Sequence, residues 1–237
     1  LHMLRGEYQA ALQNYETAAA LDRSRPDHVA HIEHRLGQVH QRQGKRDLAE
    51  THFAAALRTL DEPSVQAQIY TDWSLNAQHR GETDRAIGLA QQALNLAEAA
   101  ADRRTLAQAH NVLGVLARHQ VDFNLAEHHL QYSLAIADEL HDRIARVAAL
   151  NNLSLVYGDQ GDVAQAIALT EQALQECVSA GDRHREAALH NNLADLLHAS
   201  AKSDEAMAHL KQAVTIFAEI GIEAGTMQPE IWKLTEW

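Results

Sequence analysis

The chain has little with which to build a sheet or a disulfide framework. Phe, Tyr and Trp make up only 5% of its 237 residues, and there are three prolines. With abundant Ala, Leu, Gln and Glu, that scarcity favours helix over strand. The one cysteine, Cys177, has no internal partner, so an internal disulfide is excluded and a reducing compartment, the cytoplasm, is expected. No uncharged apolar run of about 18 residues occurs, so no membrane span is expected, and the amino terminus lacks a signal-peptide core. Basic runs are missing as well. The 32 acids outweigh 20 Lys and Arg, giving a formal net charge of −12, which makes nucleic acid a poor partner. A phosphate-binding loop is also lacking, because Gly44-Lys45 has neither the upstream glycine nor the strand it needs.

What the chain does have is repetition. The stretch 148–176, AALNNLSLVYGDQGDVAQAIALTEQALQE, reads as two amphipathic helices joined by a tight turn. Leu150, Leu153, Val156 and Tyr157 recur at helical spacing. Gly161 then ends the first helix, and Asp162 caps the second with Gln165 three residues on, as in a capping box. Ala166, Ala173 and Leu174 share one face of that second helix. Neither helix can bury its stripe alone, so the pair must stack on copies of itself.

The copies are visible as columns. A small residue falls in each first helix at Gly37, Ser74, Gly114, Ser154 and Ala194, at intervals of 37, 40, 40 and 40. An alanine opens each second helix at Ala11, Ala49, Ala86, Ala126, Ala166 and Ala206, and seven residues later come Ala18, Ala56, Ala93, Ser133, Ala173 and Ala213. Small side chains are needed where two helices cross closely. Turn glycines recur at Gly44, Gly81 and Gly161, a column that Val121 and Ala201 interrupt. Asp102, Asp142 and Asp182 stand where helix caps are expected.

Leu113-Gly114 with Ala126, Leu130 and Ser133, and Leu36-Gly37 with Ala49, Phe53 and Ala56, resemble the tetratricopeptide repeat. The usual period of that repeat is about 34 residues. A period of 40 is similar to the long-helix variety of kinesin light chain, spindle-orientation adaptors and bacterial ATP-dependent regulators of the maltose-activator type. The resemblance implies an all-α fold, a right-handed α-solenoid of helical hairpins. The expected organisation is a half repeat over 1–22, five hairpins over 27–220 and a C-terminal cap over 221–237. That makes one solenoid domain cut from a larger protein with further domains. In the last segment Pro229 suits a helix start, followed by Ile231, Trp232 and Leu234. His2-Met3 could equally be a cloning remnant.

No chemistry is legible. Cys177, among Leu174 and Val178, reads as a packing residue rather than a nucleophile. His28, His31 and His34 step along one helix and His128-His129 adjoin Glu127, but a row along an axis does not converge as zinc ligands must. No metal, no cofactor and no enzymatic activity are expected.

Binding is the better lead. With the small residue set as position 8 of each first helix, positions 2, 5, 9 and 12 form a stripe that faces away from the hairpin core. In tetratricopeptide solenoids that stripe lines the groove. The candidate groove residues are His34, Gln38, Gln68, Thr71, Gln108, Asn111, Arg118, Asn151, Asn191, Asp195 and His198, with Asn152 and Asn192 beside them. Of 20 stripe positions eight are amides and only Asp195 is a carboxylate. Amides both donate and accept, which suits the backbone of an extended peptide. The pairs Asn151-Asn152 and Asn191-Asn192 resemble the asparagines with which kinesin-light-chain-type repeats hold peptide. Solvated amides, or amides bonded within the solenoid, are the other reading. Asn151 and Asn191 lie outside the apolar columns, so both are expected to be dispensable for stability. The expected function is a protein- or peptide-binding module, the sensor or scaffold of a bacterial signalling or transcriptional regulator. A stand-alone adaptor and a sugar-sensing domain remain as alternatives.

Overall fold

The computed structural model describes residues 12–15, 17, 26–58 and 60–219. They contain no strand and ten complete helices: α1 (Pro26–Arg42), α2 (Arg46–Leu57), α3 (Pro63–His79), α4 (Thr83–Ala99), α5 (Arg103–His119), α6 (Phe123–Glu139), α7 (Arg143–Gln160), α8 (Val163–Ala180), α9 (Arg183–Ala199) and α10 (Ser203–Glu219). Most of the expected half repeat at 1–22, and the expected cap at 221–237, lie outside the described residues. Residues 12–15 are helical, and Leu12 and Tyr15 pack with Ile32, Leu36 and Val39 of α1.

Eight joints between consecutive helices share one local structure. After Gln160, for example, the Gly161 amide donates to the Gly158 carbonyl and the Asp162 amide to the Tyr157 carbonyl, which closes the helix in a Schellman turn. This turn needs a left-handed residue, supplied by Gly44, Gly81, Gly161 and Gly181 and, at φ of 52, 63, 51 and 59°, by Ala101, Val121, His141 and Ala201. Val121 and Ala201 thus interrupt the glycine column in sequence but not the turn in space. At five of the eight joints the next residue is an aspartate whose side chain caps the following helix. Asp122, Asp142, Asp162 and Asp182 accept from the amides of Leu125, Ala145, Gln165 and Arg185. Asp102 accepts from the Thr105 amide at 3.1 Å and hydroxyl at 2.6 Å, and from the Ser64 hydroxyl. Burial alone would raise its carboxyl, yet the Ser64 and Thr105 bonds outweigh it and hold Asp102 below the usual range.

The single interval of 37 has a simple origin. Helix α2 has 12 residues where α4 has 17. The longer link that follows, residues 58–62, meets Pro63 at the first turn of α3, where a missing amide hydrogen costs nothing.

By contacts the chain forms two compact units, divided between Val112 and Leu113 inside α5. In the first, Phe53 of α2 is fully buried among Ala30, Ala49, Ala56, Leu60, Val65 and Ile69. A Cβ on Gly37 would meet the Phe53 ring at 2.5 Å, so only glycine lets that ring lie on α1. In the second unit a Cβ on Gly114 would likewise meet Leu130 Cγ at 2.5 Å. Where the small residue is serine, the crossing is polar. The hydroxyl donates to the carbonyl of the alanine that opens the next helix, Ser74 to Ala86 at 2.7 Å and Ser154 to Ala166 at 2.9 Å. The residue four places beyond that alanine answers in kind. It is Phe53 or Leu130 opposite glycine, and Ala90 or Thr170 opposite serine, with Ser154 and Thr170 hydroxyls 2.6 Å apart.

Candidate functional site

The odd-numbered helices carry the stripe, and in both units much of it is engaged by the neighbouring odd-numbered helix. In the first unit, α1 turns three side chains onto Asp72 of α3. His34 Nε2 shares a hydrogen bond with Asp72 Oδ2 at 2.6 Å, and Gln38 Nε2 donates to the same oxygen at 2.7 Å. Gln41 Nε2 donates to the Asp72 carbonyl at 3.1 Å. His34 and Asp72 are 3% and 8% exposed, so this is an interior contact rather than a surface pair. The Thr71 hydroxyl is buried and bonded to the Ala67 carbonyl one turn back. Gln68 is half-buried, and Gln108 is exposed.

The second unit repeats the device with different residues. Asn192 Nδ2 of α9 donates to Asn151 Oδ1 of α7 at 2.8 Å, and Asn151 Nδ2 reaches Asn152 Oδ1 at 3.3 Å. All three are buried. Arg118 Nε of α5 donates to Asp159 Oδ2 of α7 at 2.6 Å. His34–Asp72, Arg118–Asp159 and Asn151–Asn192 are separated by 38, 41 and 41 residues. Each is one residue more than the local repeat, so a stripe residue on one helix meets the residue after the equivalent position on the next. This changes the expectation for Asn151, whose side chain bonds the neighbouring odd-numbered helix. Asn111 is buried as well.

Besides Gln108 and the half-buried Gln68, the stripe on α9 is open to a ligand. Asn191 is half-buried, and its Nδ2 is shielded from solvent without a hydrogen-bond partner. Asp195 and His198, four and seven residues on, are exposed on the same face of the helix. Partial burial holds the Asp195 carboxyl above its usual range, against the opposing charge of His198. Asp72 and Asp159 were missed by sequence reasoning, because both fall one residue past the stripe. The signal was an acid one residue past the repeat from a histidine or an arginine.

Other candidate groups are placed as follows. Cys177 is 2% exposed, and burial, with Asp182 adding to it, pushes its thiol up to about 12. Of the histidine row, His31 is exposed while His34 is committed to Asp72, so the row does not converge. His129 is held below the ordinary imidazole value by burial and then by the adjacent His128. Among the described residues no group of three His, Cys, Asp or Glu could hold a metal ion, and no helix is long and apolar enough to cross a membrane.

The sequence profile of the tetratricopeptide repeat matches residues 1–62 and 145–219. No curated protein matches the chain. Among solved structures the chain is similar to BtubC (BKLC) from P. vanneervenii, with a TM-score of 0.68, 20% identity, and 96% of this chain and 94% of that one covered. It is similar to a Rap protein complexed with Competence and Sporulation Factor, at a TM-score of 0.75 and 16% identity, over 87% of this chain and 62% of that one. A signal transduction ATPase with numerous domains from Pyrococcus horikoshii, which carries a tetratricopeptide repeat sensor, matches at 0.73 and 14% identity. That match covers 92% of this chain but 34% of the ATPase. At these identities the likeness is one of fold.

Proposed function

Because this chain belongs to the tetratricopeptide repeat family, we propose that it is a non-enzymatic module that holds an extended protein segment against its odd-numbered helices. Its place is the sensor or scaffold part of a bacterial signalling regulator in the cytoplasm. The observation that carries the reading is Asn191, whose Nδ2 is shielded and has no acceptor. Such an orphaned donor costs about 1–3 kcal/mol, and a peptide carbonyl reaching it removes the cost. The Asn151–Asn192 bond fixes the helix that presents it. Asp195 and His198 then offer side-chain contacts to the same segment. The regulator role draws on the ATPase whose sensor has this fold, and on the Rap protein complexed with its factor. Cys177, buried and with its thiol pushed up to about 12, is read as a packing residue and not as a nucleophile.

The test starts with affinity capture on the immobilised chain from a native lysate, followed by calorimetric titration of the captured protein. Asn191→Ala with His198→Ala should weaken binding about tenfold or more, the equivalent of roughly 1.4 kcal/mol. Unchanged affinity in a variant of intact helicity would refute the site. A thermal shift with free sugars and none with the captured protein would replace the peptide reading with a small-molecule one.

A further inference from the structure

The even-numbered helices each turn one side to water, and α6 dresses that side differently. Its buried residues are Ala126, Leu130, Ser133, Ile136 and Ala137. On the far side Leu125, His128 and Tyr132 fall at i, i+3 and i+7, all exposed, and Val121 stands in the joint just ahead. Leu125, Tyr132 and Val121 are 43%, 50% and 68% exposed. The His128 and Tyr132 rings adjoin, with centroids 6.2 Å apart. The matching positions of α4, α8 and α10 are exposed as well, but none carries a large apolar group. Leu125 is matched by Arg85, Gln165 and Glu205, His128 by Gly88, Ala168 and Ala208, and Tyr132 by Gln92, Gln172 and Gln212. In α2 the set is Leu48, Thr51 and Ala55. Stacking of the repeats therefore does not ask for the side chains on α6. Val121 even carries a cost, since φ of 63° strains a β-branched residue where Gly81 and Gly161 serve the same turn freely. Strain kept where a cheaper residue fits points to a use for the side chain.

We propose that this face of α6 docks an amphipathic helix of a partner protein whose apolar stripe is flanked by Lys and Arg. A helix is the fitting shape because the backbone groups of α6 are spent within it, which leaves no strand edge to extend. From Leu125 to Tyr132 the stripe spans about 10 Å of helix axis, and Val121 extends it by a further turn. That length takes the i, i+3 or i+4 and i+7 anchors of one facing helix. The charge of the partner follows from the rim. Helix α6 holds Glu127, Asp138 and Glu139 and no Lys or Arg, with the Asp122 cap at its start. Arg146 offsets Asp138, whereas Glu127 bonds the neutral Tyr157 and Gln131 and keeps its charge. A basic flank on the partner is therefore attracted. A second copy of the chain is the poorer occupant, because each copy carries a net charge of −12. Four side chains also fall well short of the roughly 800 Å² per partner of a stable interface, so the contact suits a transient partner. The surface lies on an even-numbered helix, so the inference does not depend on what the odd-numbered helices bind.

The test uses a fluorescent synthetic helix of about four turns, with leucines along one stripe and lysines elsewhere. Anisotropy titration against the full chain should give a dissociation constant in the micromolar range. Leu125→Gln with Tyr132→Gln gives α6 the residues that α8 has at these exposed positions, so helicity and the denaturation midpoint should hold. This variant should bind at least about tenfold more weakly. A peptide of the same composition with its leucines scrambled, and one with glutamate for lysine, should each lose as much. Asn191→Ala with His198→Ala should bind the peptide as the unaltered chain does. No binding by the unaltered chain, or equal affinity in the glutamine variant, would overturn the proposal. Loss of binding in the Asn191 and His198 variant alone would place the peptide on the odd-numbered helices and overturn it too. A dimer in sedimentation equilibrium that the glutamine variant abolishes would replace the partner helix with a second copy.

Discussion

The inverse match between the small residue of one helix and the residue facing it can be tested as an exchange between repeats. Gly114 faces Leu130, while Ser154 faces Thr170. A Cβ on residue 114 would stand 2.5 Å from Leu130 Cγ and 2.8 Å from Leu130 Cδ2, against the 3.5–4.0 Å of an ordinary carbon contact. Leu130 is 0% exposed and cannot step aside by the ångström required. Gly114→Ser should therefore cost about 1–3 kcal/mol by overpacking, somewhat offset by the better helix propensity of serine. Leu130→Thr alone should cost about 2–4 kcal/mol, because it leaves a cavity and a buried hydroxyl. Made together, the two rebuild the arrangement of the next repeat, in which Ser154 bonds the Ala166 carbonyl and lies 2.6 Å from the Thr170 hydroxyl. The double variant should then be more stable than the sum of the singles by about 1–3 kcal/mol. Urea denaturation followed by far-ultraviolet dichroism reads the cycle, with hydrogen exchange of α5 and α6 amides as the local check. Additivity within about 0.5 kcal/mol would mean that the two positions do not sense each other, and the packing argument would fail.

Four further outcomes are expected. Asn151→Ala should destabilise the chain by about 1–3 kcal/mol, since the buried Asn192 amide loses its acceptor, whereas Asn191→Ala should be neutral or stabilising, because it removes a shielded donor that has no acceptor; equal losses in the denaturation midpoint would contradict the bonding described. Val121→Gly should stabilise by about 1 kcal/mol, because a β-branched residue at φ 63° is strained, and an unmoved or lowered melting temperature would count against this. Asp102→Ala should cost about 0.5–2 kcal/mol at neutral pH. The Asp102 carboxyl is held low in the folded chain, so its contribution is complete above the unfolded value near 3.9 and fades as pH falls through the folded one; a cost that does not shrink in acid would refute the assignment. Cys177, with its thiol pushed up to about 12, should resist a thiol-specific reagent at neutral pH until urea unfolds α8, and rapid labelling of the native chain would show that the burial is wrong.

Much of the fold was legible because it is written in columns. The small residue, the alanine and the capping aspartate each act within one hairpin or one joint, so their spacing is visible along the chain. The site was harder to read. The stripe rule singled out His34, Gln38, Arg118 and Asn151, each of which bonds the next odd-numbered helix, but a single helix does not reveal what the next one presents. Asp72 and Asp159 enter only when neighbouring helices are side by side, offset by one residue. The same offset separates Asn151, spent on Asn192, from Asn191, which is unspent although it carries the same side chain at the same repeat position.

The Schellman joint has a consequence for how such a chain can grow. The same left-handed residue and cap serve inside a hairpin, at Gly161-Asp162 between α7 and α8, and between hairpins, at Gly181-Asp182 between α8 and α9. The connection therefore does not distinguish the two kinds of neighbour. A duplication that copies 40 residues from one joint to its equivalent leaves every seam locally native, whether it begins at Gly161 or at Gly181. Lengthening by whole repeats then demands no new turn chemistry, and selection is left to act on the helix faces alone.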